Sequence, residues 1–220
     1  MSHADGQMRL KGALSSLGDY HKASVIVKMD NVNVKKVFAA FDDFGQDGIT
    51  AQNLEGSLSS DISASMKVDQ SGKIMPNTLV SKVDFSLKNG VLNNYEPIKK
   101  LQKFVFKNRN FDNIRFAELK DHLDINNGEI IINRMEIESS VISFFVEGVY
   151  NKKGTTDLSI HVPFNNLKKR GEDYNPENIS TDKKEGRGIN IRARPGSDGK
   201  VQFKLDLFNK YKKEKKKDLK

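Results

Sequence analysis

The stretch that decides the fold is Leu54-Glu55-Gly56-Ser57-Leu58-Ser59-Ser60-Asp61-Ile62-Ser63-Ala64-Ser65-Met66-Lys67-Val68. Its even positions are apolar or small and its odd positions are polar, so the pattern repeats with period two. This alternation is typical of a strand in an antiparallel sheet, with one apolar face and one face in water. Since strands are usually about five to six residues long, the run is long for a single strand. We therefore predict one long strand whose apolar face is the working part of the protein.

Shorter alternating runs on both sides of this stretch predict a sheet of many strands. Val83, Phe85 and Leu87 alternate with polar residues, and Asn89-Gly90 is predicted to end their strand. Asn126-Asn127-Gly128 is typical of a hairpin turn, and such short connections favour antiparallel neighbours. The further predicted strands are 8–14, 21–29, 114–125, 129–138, 141–150, 155–162, 187–194 and 200–208.

Two segments change to the helical period. In 34–44 the apolar residues recur at spacings of three and four, after Asn33 as a suitable N-cap. In 97–106 a proline occupies the first turn, ahead of an apolar stripe. The predicted fold class is therefore mainly β with two short helices (α+β). We expect a long curved antiparallel sheet whose apolar concave face is partly covered by these helices.

Charge is distributed unevenly along the chain. Residues 1–164 hold 20 Lys+Arg and 20 Asp+Glu, so the net charge of +8 comes from residues 165–220. We expect 1–164 to form the sheet domain and 165–220 to be a polar, basic, partly disordered extension ending in the lysine-rich run 210–220. Because the main body is neutral, composition does not indicate nucleic-acid binding.

Residue types needed for catalysis or metal binding do not form a recognisable pattern. The chain has no cysteine, and its four histidines, His3, His21, His122 and His161, are far apart in sequence. Asp43, Asp47 and Gly48 do not fit the register of a calcium loop, because Leu54 occupies the position where that loop needs glutamate. Neither a phosphate-binding loop nor a nucleophile motif occurs. We therefore expect a non-catalytic protein that needs no cofactor and no metal.

Short strand motifs follow one another in a fixed order with the two predicted helices. They are Val34 to Phe44, Gln52 to Val68, Leu87 to Leu92, Pro97 to Phe106, Phe116-Ala117-Glu118-Leu119, Leu123 to Ile130, Met135 to Ser140, Phe145 to Tyr150 and Thr156 to Ile160. This order of elements and motifs resembles the C-terminal region of the bacterial AsmA family. The resemblance covers roughly 20–164, and the basic end of the chain departs from the family pattern.

The resemblance implies a role in the envelope of Gram-negative bacteria. Members of the family have an inner-membrane anchor and a periplasmic body, and they are similar to bridge-like lipid-transfer proteins with an apolar groove for acyl chains. They are implicated in outer-membrane biogenesis and phospholipid transport. By this resemblance, the chain is expected to lie in the periplasm, to bind phospholipid or another acyl-chain lipid, and to contact envelope proteins. We expect the inner-membrane anchor to lie in a part of the protein outside this chain.

The sequence allows two interpretations of the apolar stripes. In the first, they line a lipid groove; in the second, the two helices cover them as an ordinary core. A structural domain that docks on another envelope protein through a sheet edge is the alternative function. The lysine-rich end adds a possible contact with anionic lipid headgroups. The groove candidates are Leu54, Leu58, Ile62, Met66, Val68, Val83, Phe85, Leu87, Ile130, Ile132 and Phe145.

Overall fold

The computed structural model describes residues 2–45, 49–96, 98–99, 109–151, 155–167, 170, 174–176, 186–197, 199 and 201–218. Twelve strands and two α-helices are described within these ranges, together with 3-10 turns at Asp42–Gly45 and Phe164–Leu167. The helices are α1 (Val34–Ala40) and α2 (Lys210–Asp218). The strands are β1 (Ser2–His3), β2 (Gly6–Ser16), β3 (His21–Asn33), β4 (Leu54–Val68), β5 (Val80–Asn93), β6 (Asn113–Arg115), β7 (Leu119–Asn126), β8 (Glu129–Ile137), β9 (Phe144–Asn151), β10 (Asp157–Pro163), β11 (Gly188–Pro195) and β12 (Val201–Leu205).

All strands belong to one open antiparallel sheet. Eleven of them follow one another in chain order from β1 to β12, and β6 pairs separately with the end of β5. The sheet runs without interruption across residue 164, because β11 pairs with β10. The predicted fold class, mainly β with two short helices, is confirmed. The division of the chain into two domains stays a prediction.

Three irregularities change the pairing register inside the sheet. The first lies between Met29 and Val32 in β3, and the second lies in β5, opposite Gly56 of β4. The third lies between Ile132 and Met135 in β8. In each case one strand has an extra residue, and a residue with positive φ lies within the extra segment. A β-bulge of this kind reverses the side-chain alternation of the strand that carries it. The three positive-φ residues are Asn31, Asn89 and Arg134.

The structure corrects the prediction that Asn89-Gly90 ends a strand. β5 continues to Asn93, because Asn89 adopts the left-handed conformation of a bulge (φ 52°) rather than of a turn. Likewise, the predicted strand 114–125 is two strands, β6 and β7, joined by 116–118.

The helices also differ from the prediction. The segment 34–44 forms α1, which ends at Ala40 and is followed by a 3-10 turn, and Asn33 Oδ1 accepts a hydrogen bond from Lys36 N as an N-cap. The predicted helix at 97–106 lies largely outside the described residues, although Ile98 and Lys99 are helical. The lysine-rich end, expected to be disordered, forms α2 over Lys210–Asp218.

Candidate functional site

The strand register places one continuous apolar surface on one side of the sheet. Residues paired directly across antiparallel strands project to the same face, so a row of partners can be followed from strand to strand. One such row crosses ten strands and contains apolar residues and one glycine. Its members, from β2 to β12, are Leu10, Val27, Ile62, Val83, Leu123, Ile132, Gly148, Leu158, Ala193 and Phe203. We call the side of the sheet that carries this row the apolar face.

The bulges keep this face apolar along the strands. Leu87 and Leu92 are five positions apart in β5, and a regular strand would place them on opposite faces. Because of the bulge at Asn89, they pair with Leu58 and Leu54 on β4 and share one face. The same effect unites Met29 with Val32 in β3 and Ile132 with Met135 in β8.

One half of the apolar face is covered by the connections at the end where β3 and β5 finish. Residues 109–116 and the β8–β9 connection supply side chains such as Phe111 and Ile142, which are buried against the strands. Helix α1 covers the same end of β3 and β4, with Val37 packed against Val32 and Met29. Tyr95 belongs to this cover, and its burial raises the pKa of the phenol to about 12. This half is an ordinary core.

The opposite half, where β4 ends and β5 begins, lies outside both core clusters of the described residues. Its central row pairs Val25, Ala64, Ser81, Ile125, Ile130 and Tyr150 across six strands, and each of these except Ser81 is half-buried. At the β2 margin, Leu10 and Leu14 are each 65% exposed. We call this region the open half; its apolar members are Leu10, Leu14, Ala23, Val25, Ala64, Met66, Val68, Val83, Ile125, Ile130 and Tyr150.

The groove candidates from the sequence divide into three groups. Met66, Val68, Val83 and Ile130 lie in the open half. Six lie on the apolar face and are covered: Leu87 is buried, and the others pack against the two core clusters, namely Leu54, Leu58, Ile62, Phe85 and Ile132.

Phe145 is on the other face of the sheet. It pairs with Glu136 on β8 and His161 on β10, and the Arg134 guanidinium lies 4.5 Å from its ring centroid. Its neighbour Val146 is the residue that faces the apolar side, paired with Ile160. The reason for the difference is that β9 has apolar residues on both faces, so the alternation alone leaves its orientation open.

Sequence reasoning omitted several members of the open half. Val25 and Ile125 are in alternating runs that had been recognised as strands, and the pairing register with β4 and β8 was the missing information. Tyr150 gave no distinct signal, because a terminal aromatic residue of a strand fits either face.

Polar residues on the apolar face include Ser60, Ser81 and Asp121, and the first two are buried. The Ser60 hydroxyl donates to the Asp84 backbone oxygen at 2.8 Å, which satisfies this buried group. Asp121 pairs with Phe85 and so places a carboxylate on the apolar face. Its carboxylate accepts a hydrogen bond from His122 N at 2.7 Å. Asp121 is one row away from the open half, toward the covered end.

The opposite face of the sheet is charged and has its own network. His122 contacts Asp84 at 2.9 Å and Asp124 at 3.1 Å, and these hydrogen bonds raise the pKa of the imidazole above its ordinary value. The same contact with His122 lowers the pKa of Asp124. At pH values where His122 is protonated, the network ties β5 to β7 on this side. The charges of the described sheet are therefore concentrated on the face away from the open half.

Within the described ranges, no three or more histidine, aspartate or glutamate side chains are grouped so that they could hold a metal ion. The described helices include none of sufficient length and apolar character to cross a membrane. Comparison of the chain with protein-family models, curated proteins and solved structures finds no match.

Proposed function

We propose that the open half of the apolar face binds the acyl chain of a phospholipid or a related lipid, and that the protein is a non-catalytic lipid-binding module. The observation that supports this most strongly is an apolar surface that crosses the sheet and that the described connections cover at only one end. A monomeric soluble protein rarely exposes a large contiguous apolar area without a binding role.

The dimensions of the open half suit an acyl chain. Its central row, with Gly12 added on β2, crosses seven neighbouring strands, which at about 4.8 Å per spacing gives roughly 29 Å. The hydrocarbon core of a bilayer is about 30 Å thick, so one acyl chain needs about half of this length. A lipid tail would therefore fit along the row, across the strands.

Small side chains on this row favour close approach of a ligand. Gly12, Ala64 and Ser81 leave the backbone near the surface, while Val25, Ile125 and Ile130 flank it. Each methylene removed from water contributes about 0.8 kcal/mol. Burial of ten methylenes therefore corresponds to about 8 kcal/mol, which is a Kd of about 1 μM.

The resemblance of the chain to the AsmA family supplies the proposed setting. In this setting the chain is part of a periplasmic protein of a Gram-negative envelope, anchored to the inner membrane, and the open half forms part of a groove that binds or conducts phospholipid between the two membranes. The proposal of lipid binding itself rests on the apolar face and is tested independently of the setting.

The experiment compares lipid bound to the purified chain and to two substituted chains. We expect organic extraction followed by mass spectrometry to find phospholipid with the unmodified protein. Val25→Asp and Met66→Asp place a carboxylate in the open half, and each is expected to lower the lipid content at least tenfold, because burying a charge against acyl chains is unfavourable.

Ile26→Asp is the matched control. Ile26 adjoins Val25 but is on the charged face and is 50% exposed, so the same change of chemistry is expected to leave lipid binding intact. Circular dichroism and urea unfolding establish that all three variants fold. Absence of phospholipid from the unmodified chain, together with no uptake from micelles, would refute the proposal, as would equal lipid loss in Ile26→Asp.

A second candidate function is docking through the edge of β2, and the pairing pattern favours it. β1 pairs only with Gly6 and Gln7, so beyond them the described structure places no strand along the outer edge of β2. An unprotected edge is a template for a strand from another protein. Ala13→Lys and Ser15→Lys add charges at this edge on the charged face, away from the open half, and cross-linking of envelope extracts measures partner loss. Partner loss with lipid retained favours docking, whereas lipid loss in Met66→Asp with the partner retained favours lipid binding.

A further inference from the structure

The turn between β12 and α2 holds two large apolar side chains in water. Leu207 is 79% exposed and Phe208 is 68% exposed, and Leu205 at the end of β12 is 48% exposed. Leu207 and Phe208 are the two most exposed large apolar residues of the described chain. Seven of the ten strands of the long row precede β10, and the open half lies on those seven strands. The exposed turn follows β12, so it is far along the sheet from the open half.

The turn is fixed by hydrogen bonds on both sides of the apolar pair. Asp206 is buried, its backbone N–H donates to Asn190 O at 2.7 Å, and its carboxylate accepts from Lys210 N at 2.8 Å and Tyr211 N at 3.1 Å. Asn209 N donates to Asp206 O at 3.1 Å. These hydrogen bonds fix the backbone of the turn on both sides of Leu207 and Phe208. The exposure of the two side chains is therefore determined by the fold.

Helix α2 is held on the charged face of β11 by ion pairs. Glu214 contacts Arg192 at 2.6 Å and Arg194 at 3.1 Å, and both arginines also contact Asp157. Burial by itself raises the pKa of Asp157, but the hydrogen bonds from these arginines lower it below the ordinary value. Tyr211 is buried beneath this network.

A concavity of about 510 Å³ joins the apolar turn to this basic helix. It is lined by Leu205, Leu207 and Phe208 together with cationic side chains, among them Lys204 and Lys210. The two acidic residues of its lining are already engaged, Asp206 with helix N–H groups and Glu214 with the arginines. Among the described residues, neither Lys204 nor Lys210 has an acidic partner. The surface is thus an exposed apolar pair next to uncompensated positive charge.

We propose that this surface docks on an anionic lipid bilayer, with Leu207 and Phe208 inserted among the lipids and Lys204 and Lys210 at the headgroups. Peripheral membrane binding needs this combination, because apolar burial supplies affinity and basic residues supply attraction to anionic lipid. The proposal goes beyond acyl-chain binding in the open half, since the two surfaces differ in residues and in place.

The experiment is co-sedimentation of the full chain with vesicles of phosphatidylcholine alone or with 30% phosphatidylglycerol. We expect binding only to the anionic vesicles, weakened by salt. Leu207→Ser with Phe208→Ser is expected to lower the affinity at least about tenfold, from the lost apolar burial. Lys204→Gln with Lys210→Gln is expected to lower it about fivefold per lysine.

Lys22→Gln with Lys82→Gln is the matched control, because it removes two exposed lysines from β3 and β5 and is expected to change the affinity less than about twofold. A second measurement uses the absence of tryptophan from the chain. Phe208→Trp then gives a single indole, whose emission is expected to shift to the blue on anionic vesicles. Phe41→Trp, at another exposed apolar position, is expected to show no shift.

Several results would overturn the proposal. They are no binding to anionic vesicles at low salt, equal binding by the doubly serine-substituted chain, or an unshifted emission from Phe208→Trp. Tighter binding to a DNA duplex than to anionic vesicles would assign the basic surface to nucleic acid instead. Loss of vesicle binding in Val25→Asp, with the turn variants unaffected, would assign the membrane contact to the open half.

Discussion

Gly56 is the position where the register of the central strands depends most directly on one residue. It lies in β4 opposite the β5 bulge and has φ of 135°, a conformation that L side chains rarely adopt. A Cβ atom added there would be 2.9 Å from both Leu87 Cδ1 and Lys88 O. We therefore predict that Gly56→Ala destabilises the fold through both backbone strain and crowding.

The magnitude follows from these two contributions. A non-glycine residue in a sparsely populated backbone region costs about 1–3 kcal/mol. Crowding against a well-packed neighbour costs about 1–3 kcal/mol more, because a backbone oxygen moves less readily than a side-chain end. The expected loss of unfolding free energy is therefore about 2–5 kcal/mol.

Gly72→Ala is the matched comparison. Gly72 also has positive φ (86°), but no atom lies within 4 Å of the position of its added Cβ, so only the backbone cost of about 1–2 kcal/mol applies. Urea unfolding followed by circular dichroism measures both variants. Equal stability losses would refute the close approach of β5 to Gly56 and, with it, the bulge that unites Leu87 and Leu92 on one face.

Two further predictions concern the covered half and the charged face. Leu87→Ala is expected to cost about 2–5 kcal/mol of unfolding free energy, because Leu87 is 5% exposed. Leu10→Ala is expected to cost under about 0.5 kcal/mol, because Leu10 is 65% exposed. Similar stability losses for the two variants in urea unfolding would contradict this placement. The raised pKa of His122 means that its stabilising effect is fully present below the unfolded pKa of about 6.5 and is lost as pH rises through the folded pKa. Asp84→Asn is therefore expected to lower the NMR-titrated pKa of His122 and to destabilise more at pH 6 than at pH 9, and an unchanged titration would show that the contact does not form.

The sequence predicted the sheet because period-two alternation follows directly from strand geometry. It did not predict the bulges, because one inserted residue reverses the alternation without changing composition. Asn31 and Asn89 carried a weak signal, since asparagine tolerates positive φ, but Arg134 carried none. The apolar residues of β4 therefore share one face as the alternation predicts, while the continuity of the face beyond β3 and β5 depends on registers that only the structure supplies.

The orientation of Phe145 and the helical structure of the lysine-rich end could not be predicted for a different physical reason. Both are decided by contacts between residues distant in sequence. Phe145 faces Arg134 and His161 on neighbouring strands. Helix α2 is held by Glu214 on Arg192, 22 positions earlier in the chain. Considered without its partners, a lysine-rich segment is disfavoured as a helix, because like charges three or four positions apart repel.

The separation of covered and open halves relates stability to binding. Since both core clusters lie toward the end where β3 and β5 finish, the burial that stabilises the fold is concentrated there. The open half is held in shape by backbone pairing of strands that are anchored at the other end, and within the described residues it lies outside both core clusters. Substitutions in the open half should therefore change lipid binding more than stability, and those in the covered half the reverse. If the open half were instead a core awaiting closure by its own connections, substitutions at Val25 and Met66 would lower the free energy of unfolding by as much as Leu87→Ala is expected to.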